Sequence, residues 1–132
     1  MTPPDLRIAI VEDSAMIRAR LAEALAEIPN VRIVGHAETE ADATALLRGG
    51  GWDVVILDLQ LRQGTGLAVL KALPSDVQRK TTVIVFTNYA FPQFRTRSLL
   101  LGADYFFDKA REFYRVHDVI ADLAAASPPT AH

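Results

Sequence analysis

Short runs of apolar, mostly β-branched residues alternate along the chain with longer stretches in which apolar positions recur every three or four residues. Leu6–Val11 is the first short run, and its abrupt end at Glu12-Asp13 marks a buried strand. Ser14 is placed to cap a helix with Ile17, Leu21, Leu25 and Ile28 on one face, and Pro29-Asn30 ends it. Val31–His36 predicts a second strand, with Arg32 and His36 marking it as an edge. Thr39 opens a helix carrying Ala43, Leu46 and Leu47, closed by Gly49-Gly50-Gly51. Asp53–Leu57 is the most continuous strand signal and stops at Asp58. A loop, Arg62–Gly66, leads into a helix with Leu67, Leu70 and Leu73, stopped by Pro74. Thr82–Phe86 reads as a strand ending at Thr87. Pro92 suits the first turn of a helix running to Leu101 and stopped by Gly102. Asp104–Phe107 is a short aromatic strand, and Arg111–Ala126 a last helix with Phe113, Val116, Ile120 and Leu123 on one face.

Five strands, each followed by a helix, predict an α/β fold with a parallel sheet covered on both faces. Right-handed crossovers favour the strand order 2-1-3-4-5. The chain divides into one domain over residues 1–126 and a flexible tail or linker stub at 127–132, where two prolines interrupt a stretch without periodicity. At 132 residues, half of them apolar and 23% charged, the composition is that of an ordinary globular domain. A net charge of -2 gives no reason to expect direct nucleic-acid contact. No apolar run approaches the roughly 20 residues that span a bilayer, so no membrane contact is expected. The opening MTPPDLRIAIVED has no export signal, which makes a cytoplasmic location the expectation. With no cysteine, disulfides, thiolate zinc sites and a Cys nucleophile are excluded. The three histidines are scattered and lack ligand spacing.

In such a sheet ligands sit beyond the carboxyl ends of the central strands. The residues just past those ends are Glu12 and Asp13, Asp58, Thr87 and Lys109. An acidic pair at that position is often only a helix cap, and a lone Asp, Thr or Lys means little. All of them meeting at one edge is a different matter, because chance seldom arranges it. Three crowded carboxylates repel unless a cation joins them. Mg²⁺ takes oxygen ligands, few of them protein carboxylates, and fills its shell with water or phosphate oxygens. With Lys109 it would neutralise charge developing on a phosphoryl group attacked by Asp58, while Thr87 donates a hydroxyl to a phosphate oxygen. A carboxylate is already a nucleophile, so no general base is needed.

The stretches IAIVEDS, DVVILDLQL with the later Gly66-Leu67, VIVFT and GADYFFDK together resemble the receiver domain of two-component response regulators, of the chemotaxis-regulator-like kind, from Leu6 to about Leu123. The resemblance implies a flavodoxin-like doubly wound fold, Asp58 as phosphoacceptor, and Glu12 and Asp13 as the acidic pocket. It implies the backbone carbonyl of Gln60 as a further metal ligand, Mg²⁺ or Mn²⁺ as the ion, Thr87 and Phe106 as a switch pair, and Lys109 as the phosphate-contacting lysine. A histidine kinase or phosphotransfer protein would be the donor, and the output a change in partner binding or self-association. Departures from the family pattern are Ala110 in place of proline after the lysine, Asn88 in place of a small residue, and Arg62 in place of proline. A trans Lys109–Ala110 bond is therefore expected, because cis costs about 3 kcal/mol without proline.

A dehalogenase-like phosphatase would also use Mg²⁺ and an aspartyl-phosphate, but it needs its nucleophile after the first strand. A signalling switch, not an enzyme, is the expectation. Phe91, Leu99 and Val119 are expected to project from the last two helices, beside the fifth strand, as a face for a second copy or a target. Trp52 and the Leu99–Leu101 run are expected to serve packing.

Overall fold

The computed structural model describes residues 5–126. The expected tail at 127–132 lies outside them. The elements in order are β1 (Leu6–Val11), α1 (Ala15–Ala26), β2 (Val31–Ala37), α2 (Glu40–Arg48), β3 (Val54–Leu57), α3 (Gly66–Ala72), α4 (Ser75–Lys80), β4 (Thr82–Thr87), α5 (Pro92–Leu100), β5 (Tyr105–Asp108) and α6 (Phe113–Ala126). All strand pairs are parallel, in the order β2-β1-β3-β4-β5.

Alternation along the central strands separates two apolar layers. Ala9, Val11, Val55, Leu57, Val83 and Val85 pack with Ala43, Leu47, Val69 and Leu70 from α2 and α3. Ile8, Ile10, Val54, Ile56, Ile84 and Phe86 face the other way, onto Leu21 and Leu25 of α1 and Val116 and Ile120 of α6. Because β1, β3 and β4 are covered on both faces, their buried stretches Ile8–Val11, Val54–Leu57 and Val83–Phe86 are wholly apolar. Polar side chains therefore gather at the carboxyl ends, from Thr87 at the end of β4 to Glu12, Asp58 and Lys109 just past β1, β3 and β5. Strand β2 is an edge, as its polar residues imply, and its pairing with β1 shifts register between Ile8 and Ala9.

Ser14 and Thr39 cap the helices that the sequence has them open, and Thr65 caps a third. The hydroxyls of Ser14, Thr39 and Thr65 accept hydrogen bonds from the amides of Ile17, Asp42 and Ala68 at the starts of α1, α2 and α3. Asn30 turns the chain after α1 with φ of 62°, a conformation that asparagine tolerates.

Three expectations change. The segment after Pro74 is a separate short helix, α4, whose Gln78 side-chain amide donates to the carbonyls of Leu70 and Leu101. Six residues with no buried side chain carry no apolar period, which is why the sequence does not announce it. Val119 is half-buried against the second layer and does not project freely. Leu100 is not a packing residue: it is 79% exposed, and Leu99 is 41% exposed, whereas Trp52 is buried and donates its indole N–H to the carbonyl of Leu47.

Candidate functional site

At the carboxyl edge of the sheet the chain leaves β1, β3 and β5 with Glu12, Asp58 and Lys109 side by side. Backbone pairing fixes each of them. The Glu12 amide donates to Ala37, that of Asp58 to Val11, and that of Lys109 to Thr87, at 2.9, 3.0 and 3.0 Å. The Lys109 ammonium bridges the two carboxylates, 2.5 Å from Glu12 Oε1 and 2.7 Å from Asp58 Oδ2. Asp13 is half-buried beside them, and one carboxylate oxygen from each of Glu12, Asp13 and Asp58 can be chosen so that all three lie within 4.8 Å of one another. Ser14 caps α1, so Asp13 is not used as the cap. The group lines a cleft of about 430 Å³, with Gln60, Asn88, Tyr89 and Phe91 on its walls.

Burial pushes the Glu12 carboxyl above its ordinary value, outweighing the hydrogen bonds from Lys109 and from the Ser14 amide. Burial acts to lower Lys109 as well, but its hydrogen bonds to Asp58 and Glu12 outweigh that and hold the ammonium above its usual range. The lysine is thus a fixed positive charge inside an acidic pocket.

The loop after Asp58 depends on a close approach. A β-carbon at Gly66 would overlap the carbonyl oxygen of Asp58, and the Gly66 amide donates to Leu59 at 2.8 Å. Only glycine lets α3 start against the backbone of Asp58. No peptide bond among the described residues is cis, so Lys109 enters the cleft through a trans bond to Ala110.

Neither Thr87 nor Phe106 lines the cleft. Thr87 is fully buried at the end of β4, and its hydroxyl accepts from the Tyr89 amide at 3.1 Å. Phe106 is 5% exposed, one strand over and opposite Val85, within the layer that α5 covers. Two arginines beside these residues carry no motif in the sequence. Arg18 donates to the Glu12 carbonyl at 2.7 Å and lies 3.6 Å from Glu38, bracing the turn that carries the acidic pair. Its place one turn into α1 is a signal that could have found it. Arg95, discussed below, carries none.

The donor set fits a hard divalent cation. Three carboxylates offer oxygen only, one face of the cluster opens into the cleft, and Gln60 borders it.

The profile of the response regulator receiver domain family matches residues 8–121. A protein-glutamate methylesterase/protein-glutamine glutaminase of Methanospirillum hungatei is 27% identical over 120 residues, which is 89% of this chain but only 35% of that protein. The chain thus spans about a third of that relative's length. The response regulator domain of Thermotoga maritima CheB superposes with a TM-score of 0.75 at 22% identity, over 93% of this chain and 96% of that one. The phosphorylated cyanobacterial phytochrome response regulator RcpA does so with 0.77 at 22% identity, over 97% of both. At such identity the two structures speak for the fold. The chain belongs to the response regulator receiver domain family of two-component systems.

Proposed function

We propose that this domain, over residues 1–126, is a phosphorylatable switch whose acceptor is Asp58. The observation that carries this reading is the ammonium of Lys109 held between Glu12 and Asp58, with Asp13 beside them, in an open cleft. Glu12, Asp13, Asp58 and the Gln60 carbonyl would hold Mg²⁺ or Mn²⁺. When bound, the ion supplies positive charge to the phosphoryl oxygens and holds them in line with the acceptor.

An oxygen of Asp58 attacks phosphorus. An O–P bond forms as the bond to the donor breaks, P–N for a phosphohistidine or P–O for an acyl phosphate, and the bonding pair leaves with the donor. Lys109 then pairs with a phosphoryl oxygen in place of the Asp58 carboxylate. Charge stabilisation of this kind, by groups already in position, is the main lever in phosphoryl transfer. The hydroxyl of Thr87 accepts from Tyr89 and so still has its proton to donate to the phosphoryl group. Movement of Thr87 alters the space beside Phe106, which converts local charge into a packing change under α5.

The donor is a histidine kinase or phosphotransfer protein. The output is binding to a partner or to a second copy through the face of α5, β5 and α6, where Phe91, Leu99 and Leu100 are exposed. No helix among the described residues is long and apolar enough to cross a membrane, and we place the domain in the cytoplasm, acting as a signalling element and not as an enzyme. The test is light scattering and partner binding with beryllofluoride and Mg²⁺ as the phosphoryl mimic. Wild type should change its association, and Thr87→Ala should bind the mimic without that change. An unaltered association in wild type, or a full response in Thr87→Ala, contradicts the switch.

A further inference from the structure

Phe106 carries no hydroxyl, so nothing on its own ring ties it to a neighbour by a directional bond. What lies against it is Arg95, one turn into α5. The Arg95 guanidinium is 5.9 Å from the centre of the Phe106 ring, and its Nη1 donates to the Phe106 carbonyl at 3.2 Å. Strand β5 is the edge of the sheet and has a strand neighbour on one side only. One side chain therefore holds both the backbone and the ring face of the same residue, and it comes from the helix that the ring would move against.

We propose that Arg95 is a positioning residue for Phe106, a latch that favours the buried ring and couples the ring's position to α5. This rests on the reading of Phe106 as the switch aromatic. A guanidinium over an aromatic face is attracted by the ring quadrupole, and at an exposed residue such as Arg95 the effect alone shifts an equilibrium about two- to five-fold. The hydrogen bond to the carbonyl fixes the arginine's reach, so an outward ring has to leave the cation or carry the backbone with it. Arginine suits both contacts at once, because its planar fork donates at its edge while its face stacks. Arg97, on the same helix, has no such contact among the described residues and is the natural control.

The experiment is fluorine NMR of a fluorophenylalanine placed at 106, recorded in wild type, Arg95→Ala, Arg95→Lys and Arg97→Ala, without phosphodonor. In Arg95→Ala the ratio of buried to outward ring should fall about two- to five-fold. Arg95→Lys, which keeps the cation and loses the fork, should recover part of it, and Arg97→Ala should match wild type. A merely structural role would lower the melting temperature without moving the ratio. An unchanged ratio in Arg95→Ala, or an equal fall in Arg97→Ala, overturns the proposal. Acyl-phosphate labelling of the same samples separates the two claims. Absence of labelling counts against Asp58 as acceptor, whereas the ring ratio, measured without phosphodonor, judges Arg95 alone.

Discussion

Replacing Lys109 with Met keeps the stem of the side chain and removes the charge that Glu12 and Asp58 share. Their side chains are only 2% and 7% exposed, and the ammonium they lose lies within 2.7 Å of each. Deleting one partner of a buried ion pair costs about 3–5 kcal/mol. The cleft is open on one side, so water reaches the stranded carboxylates and the lower end, about 3 kcal/mol, applies. With a urea dependence of about 1–3 kcal/mol per molar, the midpoint should fall by roughly 1–3 M in chelator at neutral pH. The sign with pH is fixed by Glu12. Its folded pKa is already raised by burial, and losing the lysine raises it further. The folded variant therefore binds more protons than the unfolded chain above about pH 4, and its deficit should shrink as pH is lowered from 7 towards 5. Mg²⁺ should stabilise the variant more than wild type, since it replaces the missing cation. Equal midpoints in chelator, or a smaller effect of Mg²⁺ on the variant, would refute the electrostatic account.

Gly66→Ala should cost about 1–3 kcal/mol in urea unfolding through the clash with the Asp58 carbonyl, and should slow labelling of Asp58, whereas Gly50→Ala, with open space around it, should leave labelling unchanged. For Asp53, burial acts upward, but the hydrogen bonds and charge of Arg7 outweigh it and hold the carboxyl below its usual range. Its contribution is therefore present above about pH 4 and lost as pH falls through the folded value, so the advantage of wild type over Asp53→Asn, about 1 kcal/mol after solvent screening, should vanish in acid. Leu99→Glu should weaken association in light scattering without changing acyl-phosphate labelling, since Leu99 is exposed and lies outside the cleft.

What could be read in the sequence is what a one-dimensional pattern can carry. Strands buried on both faces, such as Val54–Leu57, stand out because nothing polar interrupts them, and their ends mark where Glu12, Asp58, Thr87 and Lys109 must appear. That is why Glu12, Asp13, Asp58 and Lys109 group together on the sequence alone. Helix α4 leaves no mark in the sequence because its six residues bury no side chain. The half-buried place of Val119 is not legible there, because the register of α6 against β5 and α1 depends on packing, not on spacing. The link from Thr87 to the Tyr89 amide and the contact between Arg95 and Phe106 span turns and elements that share no period. The close approach of Gly66 to Asp58 has a visible residue but a cause that only three dimensions show.

The central claim is that Asp58 accepts a phosphoryl group with metal assistance. Intact-mass analysis after treatment with an acyl phosphate tests it, in Mg²⁺ and in chelator, for wild type and Asp58→Asn. Wild type in Mg²⁺ should gain the mass of one phosphoryl group, lost again on treatment with hydroxylamine, and the other three samples should gain none. An adduct that persists in Asp58→Asn, or that forms equally well in chelator, would contradict it.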